Sequence, residues 1–284
     1  MNCDWQAYLN LLPHRMRQEI DHIGRETLQE LRFRIGQPAE MVFQNGSRRL
    51  TEPITCADIT FVVNSASQYS PWAASTVSQG YITATGGHRI GVCGLCTIQD
   101  GRTIGIHKAT SLCIRVAREF KGCSQNAAKL QRSILIIGPP GSGKTTLLRD
   151  IIREKSNLGQ GSIAVVDERE EIFPLNKGVS CFSAGESTDI LSGCNKAAGV
   201  INVLRSMAPT WIALDEITAQ NDAEALLHAG WCGVNLIATA HAGSATDLKA
   251  RSIYQPLLKS GLFSYLIVLK KDKSWSLERI YDAI

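Results

Sequence analysis

Eight consecutive residues, Gly138-Pro139-Pro140-Gly141-Ser142-Gly143-Lys144-Thr145, follow the pattern G-x-x-x-x-G-K-[ST]. Their chemistry is that of triphosphate binding. Glycines let successive backbone N–H groups curl around a phosphate, and the amino end of a following helix adds partial positive charge. Lys144 is then placed to reach the β- and γ-phosphates, and the Thr145 hydroxyl to hold Mg²⁺. Thr146 continues the loop into that helix. A glycine-rich turn that matched by chance would lack the right flanks. Here apolar Ile134 to Ile137 leads in as a strand, and Thr146 to Lys155 leads out as a helix with Leu147, Leu148, Ile151 and Ile152 on one face. ATP and Mg²⁺ are the expected ligands.

Three further segments end an apolar strand in a reactive side chain. In an open α/β sheet, ligands sit outside the carboxyl ends of the strands, so these positions matter. Trp211 to Leu214 runs into Asp215-Glu216, a Walker B pattern: Asp215 is the second expected Mg²⁺ residue, and Glu216 can orient or deprotonate water. Ile163 to Val166 runs into Asp167-Glu168-Arg169, so Glu168 competes with Glu216 for the role of general base. The bland alternative is a surface ion cluster with Arg169, Glu170 and Glu171. Leu236 to Ala240 ends in His241, which a lone-residue reading would make structural; beside a γ-phosphate it becomes a sensor of that phosphate or of the attacking water, with Thr239 assisting.

The elements that must position these residues divide in two. Residues 125–284 alternate short strands, apolar on nearly every residue, with helical segments; Tyr265 to Leu269 is a further strand of this kind. Such strands suit a parallel sheet covered on both faces. Residues 1–122 have a different texture and no nucleotide motif. Two short amphipathic helices, Trp5 to Leu12 and Pro13 to Ile23, precede a strand from Leu31 to Val42 and a hairpin signal at Asn45-Gly46. Thr55 is a cap for a helix from Cys56 to Ala66, Pro71 to Gln79 reads as another helix, and Tyr81 to Val116 reads as β with a turn at Asp100-Gly101. The expected fold class is therefore α/β, a P-loop domain with a parallel-rich central sheet plus a smaller α+β amino-terminal domain.

Composition narrows the class further. A hydrophobic fraction of 44% and a net charge of +4 describe an ordinary globular chain, with too little basic excess to argue nucleic-acid binding. Nine cysteines, an odd number, speak against a disulfide framework. Cys93 and Cys96 form a single C-x-x-C without a matching pair; in a strand they read as small packed hydrophobes rather than zinc ligands. No export signal opens the chain and no apolar run approaches the roughly 20 residues of a spanning helix, so a cytoplasmic location is expected.

Taken together, the ordered boxes resemble a known superfamily. The loop, the acidic box at Asp167-Glu168, the Walker B box preceded by Leu204-Arg205-Ser-Met-Ala-Pro209, and Ala238-Thr-Ala-His241 resemble the secretion ATPases of type II and type IV systems. Leu31-Arg-Phe-Arg34 with Gly36-Gln-Pro38, Gly87-His-Arg-Ile-Gly91, Ile114-Arg115-Val-Ala-Arg118-Glu119 and Val166-Asp-Glu-Arg169 with Glu171-Ile172 resemble, within it, the stage III sporulation protein AA family over nearly the whole chain. The resemblance implies a RecA-like motor domain, a homohexameric ring with ATP between neighbouring subunits, and docking to membrane-embedded sporulation channel proteins on the mother-cell side of the forespore. It implies Glu168 as base, the Walker B acids on Mg²⁺, and Arg89 and Arg115 as amino-terminal arginines that reach the phosphates. One departure is Asp215-Glu216 where Gly-Glu is common, which leaves the division of labour among the acids open. The short tail after His241 fits the sporulation branch rather than pilus retraction. Two other classes stay in view: a nucleic-acid-dependent ATPase, supported by Arg15, Arg17, Arg25, Arg32, Arg34, Arg48 and Arg49, and a small-molecule P-loop kinase, for which no acceptor pocket or lid is evident.

Overall fold

The structure, a computed structural model, describes residues 3–68, 80–100, 102–176 and 178–280. The expected helix from Pro71 to Gln79 and the second residue of the Asp100-Gly101 turn lie outside them. The chain divides into two compact units, Met1–Glu119 with Asn176–Cys181, and Phe120–Leu175 with Phe182–Ile284.

The first unit contains α1 (Trp5–Asn10), α2 (His14–Gly24), β1 (Leu28–Arg34), β2 (Pro38–Phe43), β3 (Gly46–Pro53), α3 (Cys56–Ser67), β4 (Tyr81–Thr83), β5 (Arg89–Gln99) and β6 (Arg102–Arg115). Its six strands lie in the order β3-β2-β1-β6-β5-β4, with antiparallel neighbours throughout. The period-2 alternation decides the faces: Leu31, Phe33, Met41, Ile90 and Ile114 turn into a core shared with Tyr8, Leu12, Ile20, Ile59 and Val62. Each such side chain contributes about 1.5–3 kcal/mol through apolar burial. The segment expected as one strand from Leu31 to Val42 is two, because the chain turns at Gly36 and the alternation resumes on β2. Gly46 pairs with Phe43, so the hairpin turn is Gln44-Asn45, one residue earlier than expected. Thr55 does cap α3, its hydroxyl accepting from the Asp58 N–H while Asp58 accepts from the Thr55 N–H, a reciprocal capping box. His88 serves the core: Nδ1 accepts from the Ala117 N–H at 3.1 Å, so Nε2–H donates to the Asp4 carbonyl at 2.9 Å, and burial holds its pKa below the ordinary value.

The second unit contains β7 (Ile134–Ile137), α4 (Lys144–Asn157), β8 (Ile163–Asp167), β11 (Thr188–Ser192), α5 (Lys196–Met207), β12 (Trp211–Leu214), α6 (Gln220–Trp231), β13 (Asn235–Ala240), α7 (Ala245–Ala250), α8 (Gln255–Lys259), β14 (Tyr265–Leu269) and β15 (Trp275–Arg279). A short ribbon of β9 (Leu175–Asn176) and β10 (Val179–Ser180) precedes β11. The seven-stranded sheet runs β11-β8-β12-β13-β7-β14-β15, parallel except for the β14–β15 pair. Strands β7, β8 and β12 are buried at every residue, as continuous apolar runs require when helices cover both faces. The order puts β13 between the strand that feeds the glycine-rich loop and the strand that ends in Asp215.

One buried cation has a measurable consequence. Lys155 on α4 lies over the Trp211 ring at 3.9 Å and donates to the Leu130 carbonyl and, at 2.8 Å, to Gln160 Oε1. Burial lowers its pKa from 10.5 to about 8. Between those values the unfolded chain holds a proton that the folded chain has released, so stability rises with pH across this window and the gain is lost as pH falls through about 8. The melting temperature should therefore climb from pH 8 to pH 10 relative to a Lys155→Met variant; parallel curves would refute the assignment.

Candidate active site

The loop leaves β7 under tight steric control. A Cβ on Gly138 would sit 2.7 Å from Ser142 Oγ and 2.9 Å from Leu269 Cβ, so no larger residue fits. At Gly143, φ is 99°, a left-handed conformation that glycine adopts without strain, and this residue caps α4. The helix begins at Lys144, two residues earlier than the sequence pattern indicates, so Lys144 and Thr145 occupy its first turn. Leu147, Leu148, Ile151 and Ile152 are buried and fix the helix to the sheet.

Two strand ends, those of β12 and β13, meet this turn. Lys144 Nζ donates to the Gly138 carbonyl at 2.9 Å, the Pro139 carbonyl at 3.1 Å and His241 Nδ1 at 3.1 Å. An ammonium only donates, so His241 Nδ1 accepts, and Nε2–H faces Glu216 Oε1 at 3.0 Å. Burial holds the Lys144 pKa below its ordinary value, opposed by the Asp215 and Glu216 charges. Thr145 Oγ1 donates to Asp215 Oδ2 at 2.6 Å, and Thr239 Oγ1 to Asp215 Oδ1 at 2.5 Å. Thr239 also accepts from the Glu216 N–H at 2.8 Å, and its carbonyl accepts from Ile217. Glu216 itself has φ 58°, a left-handed conformation for a residue other than glycine, held by those two bonds. Local strain of this kind, over-determined by its surroundings, is a recurring property of functional positions.

The acidic box divides its labour. Asp167 is buried and accepts from the amides of Glu171, Ile172 and Phe173, which ties down the loop after β8. Burial pushes its carboxyl up to about 6 in spite of those donors. Glu168 instead lines a narrow recess with Asp215 and Glu216, and its Oε2 lies 3.5 Å from Lys196 Nζ. Lys196 was not singled out from the sequence. It is buried at the start of α5, donates to the Glu216 carbonyl at 2.7 Å, and so links the two candidate bases. A lysine in the first turn of an amphipathic helix gives no sign that it will point inward.

Arg89 and Arg115 belong to the first unit, where they stand directly opposite each other across β5 and β6. The Arg89 guanidinium lies over the Tyr81 ring at 4.6 Å, and Arg115 Nε is 3.6 Å from Glu30 Oε1. Cys93 and Cys96 are on β5 but exposed, which corrects the expectation that they are packed: this end of β5 extends beyond β1 and β4, and among the described residues no hydrophobic layer covers it. Among the described residues no helix is long and apolar enough to cross a membrane.

Known proteins resemble this chain in sequence and in fold. Residues 5–283 match the family model described as Sporulation stage III, protein AA. Stage III sporulation protein AA of Bacillus subtilis (strain 168) is 33% identical over 96% of this chain and 93% of that protein. The ATPase DotB of Legionella pneumophila superposes with a TM-score of 0.59 at 18% identity, covering 94% of this chain and 80% of that one. The pilus retraction motor PilT with bound ADP does so with a TM-score of 0.62 at 14% identity, covering 88% of this chain and 76% of that one. At such identities the solved structures speak to fold, and they bear out the RecA-like α/β architecture with its parallel-rich sheet.

Proposed function

This chain belongs to the stage III sporulation protein AA family, and from that premise we propose that it is a Mg²⁺-dependent ATP hydrolase, working as a homohexameric ring that powers or gates a secretion-like channel complex in sporulation. The observation that carries the reading is a single hydrogen-bonded network joining Lys144 and Thr145 to Asp215, Thr239, Glu216 and His241. Residues from two adjacent strand ends converge on one helix terminus, as in-line attack on a bound triphosphate requires.

The loop suits a triphosphate on its own evidence. Among the described residues, Ser142 Oγ is buried without a hydrogen-bond partner, and beyond the chain neighbours no heavy atom lies within 4 Å of a Cβ built on Gly141 or Gly143, so the loop offers both an unspent polar group and room. Gly138 to Thr146 would cradle the phosphates, and Thr145 with Asp215 would hold Mg²⁺, which neutralises charge on the β- and γ-oxygens. Lys144 exchanges carbonyl acceptors for phosphate oxygens. Geometry favours Glu216 over Glu168 as the residue that takes the proton of water: it is coupled through His241 to the phosphate-facing lysine, while Glu168 leans toward Lys196. His241 relays the state of that lysine to the base. Thr239 holds Asp215 and Glu216 in register.

Two accessory readings follow. The protein works as a peripheral, cytoplasmic-side component of a membrane complex on the mother-cell side of the forespore. A nucleic-acid-dependent ATPase is the less supported alternative: Arg32 and Arg34 pair with Glu30 and Glu40, and Arg15 with Glu52 and Asp58. Lys144→Ala should weaken ATP binding about 10- to 100-fold, the loss of one charged hydrogen-bonding partner. Calorimetric titration with a non-hydrolysable analogue checks this; unchanged affinity would remove the cradle assignment.

A further inference from the structure

Lys196 is a costly residue where it stands. It is buried, and it is the first residue of α5, at the positive end of the helix dipole. A cation gains at a helix carboxyl end and loses at an amino end, and burial adds a desolvation cost. The helix does not need it as a cap, since Asn195 already accepts from the Ala197 and Ala198 N–H groups. What holds the ammonium in place is an oxygen for each of its three donors. These are the Glu216 carbonyl at 2.7 Å, Thr218 Oγ1 at 3.4 Å and Glu168 Oε2 at 3.5 Å. The shortest of the three goes to backbone, not to a carboxylate. That carbonyl belongs to Glu216, whose φ of 58° is left-handed. On the other side of the same peptide, the Ile217 N–H donates to the Thr239 carbonyl at 2.9 Å. The Glu216–Ile217 peptide is therefore gripped from β13 at one end and from α5 at the other.

Resting on the reading of Glu216 as the residue that takes the proton of water, we propose that Lys196 is its positioning residue. By holding the Glu216–Ile217 peptide, the ammonium keeps the left-handed backbone that aims the Glu216 carboxylate at His241, 3.0 Å away, and at the attacking water. A strained conformation persists only where its surroundings over-determine it. With the ammonium gone, the peptide keeps only its bond to Thr239 and is free to turn, and the carboxylate turns with it. Glu168 is the counter-charge that makes a buried ammonium tolerable. Lys196 acts through Glu216 and not on the nucleotide, so its loss belongs in turnover rather than in binding. Misplacing a reacting group by 1 Å costs about 100-fold in rate, which sets the scale of the effect.

The test measures ATP hydrolysis and binding of a non-hydrolysable ATP analogue in the full chain, in Lys196→Met and in Lys196→Arg, and repeats Lys196→Met in a Glu168→Gln background. Lys196→Met keeps the apolar stem and drops the ammonium. It should lower kcat about 10- to 100-fold and leave analogue affinity within about twofold. Lys196→Arg keeps the charge and the donors and should recover most of that loss. The factor lost on Lys196→Met should be the same in Glu168→Gln, because the grip is on Glu216. Where Lys196→Met does not fold, Lys196→Gln, which retains a neutral donor, takes its place with the same expected split. Unchanged kcat, an analogue affinity that falls as far as kcat, or no recovery in a Lys196→Arg chain that binds the analogue overturns the positioning role. So does a loss that disappears in Glu168→Gln, which would make the ammonium a counter-charge for Glu168 alone. A full chain that binds the analogue without hydrolysing ATP, or an active Glu216→Gln chain, removes the reading of Glu216 itself, and either is seen with Lys196 intact.

Discussion

Arg115→Ala is expected to lower kcat about 10³- to 10⁵-fold with little change in ATP affinity, the cost of removing an arginine that reaches the transition state from a neighbouring subunit. Its surroundings suit it to that role better than those of Arg89. The Arg115 side chain is 60% exposed and sits at the margin of an ion pair with Glu30, an exposed contact worth little that a phosphate can displace. Arg89 is half-buried against the Tyr81 ring, directly opposite Arg115 on the neighbouring strand. Arg89→Ala should therefore have the smaller effect. On the ring reading, in which the arginine acts on a neighbour, activity per subunit should rise with protein concentration through the assembly transition. A mixture of inactive Arg115→Ala and Lys144→Ala chains should regain activity at interfaces that pair one intact arginine with one intact cradle. A flat specific activity, or no rescue in the mixture, would remove the ring mechanism.

Glu216→Gln should cut kcat about 10²- to 10⁴-fold, the usual worth of a positioned general base, while nucleotide binding is preserved. The carboxamide keeps the size of the side chain and can still accept from His241, so the loss reports proton transfer rather than packing. Glu168→Gln should cost less, because Glu168 shares the recess but is turned to Lys196. Single-turnover kinetics on both variants separates binding from chemistry. If Glu168→Gln is the dead enzyme and Glu216→Gln turns over, the roles are reversed and the acidic box carries the base. A loss of nucleotide affinity in Glu216→Gln equal to its loss of turnover would mean that Glu216 serves binding instead.

Much of this site was legible before any coordinates. The glycine-rich loop declares itself because phosphate binding needs close backbone approach at Gly138 and a left-handed cap at Gly143, constraints that few residue types meet. The strand ends at Asp215, Glu168 and His241 could be read because a parallel sheet covered on both faces needs unbroken apolar runs, and the first polar residue after each run marks the rim. The elements that escaped are those with weak local signals. β11 is a half-buried edge strand, and the turn at Gly36 breaks an alternation that continues on either side.

The order of residues along the chain by itself determined the chemistry on offer: a lysine and a threonine for a magnesium triphosphate, acids to accept a proton, and a histidine at a core strand terminus. Which of these touch was decided by tertiary structure. Setting β13 between β7 and β12 is what lets Thr239 grip Asp215 and His241 bridge Lys144 to Glu216, contacts that span tens of residues of sequence. Packing within the second unit turns Lys196 inward, and packing within the first leaves Cys93 and Cys96 outside. The physical reason is that propensity and periodicity act within a few residues, whereas burial and hydrogen-bond partners depend on which strands become neighbours.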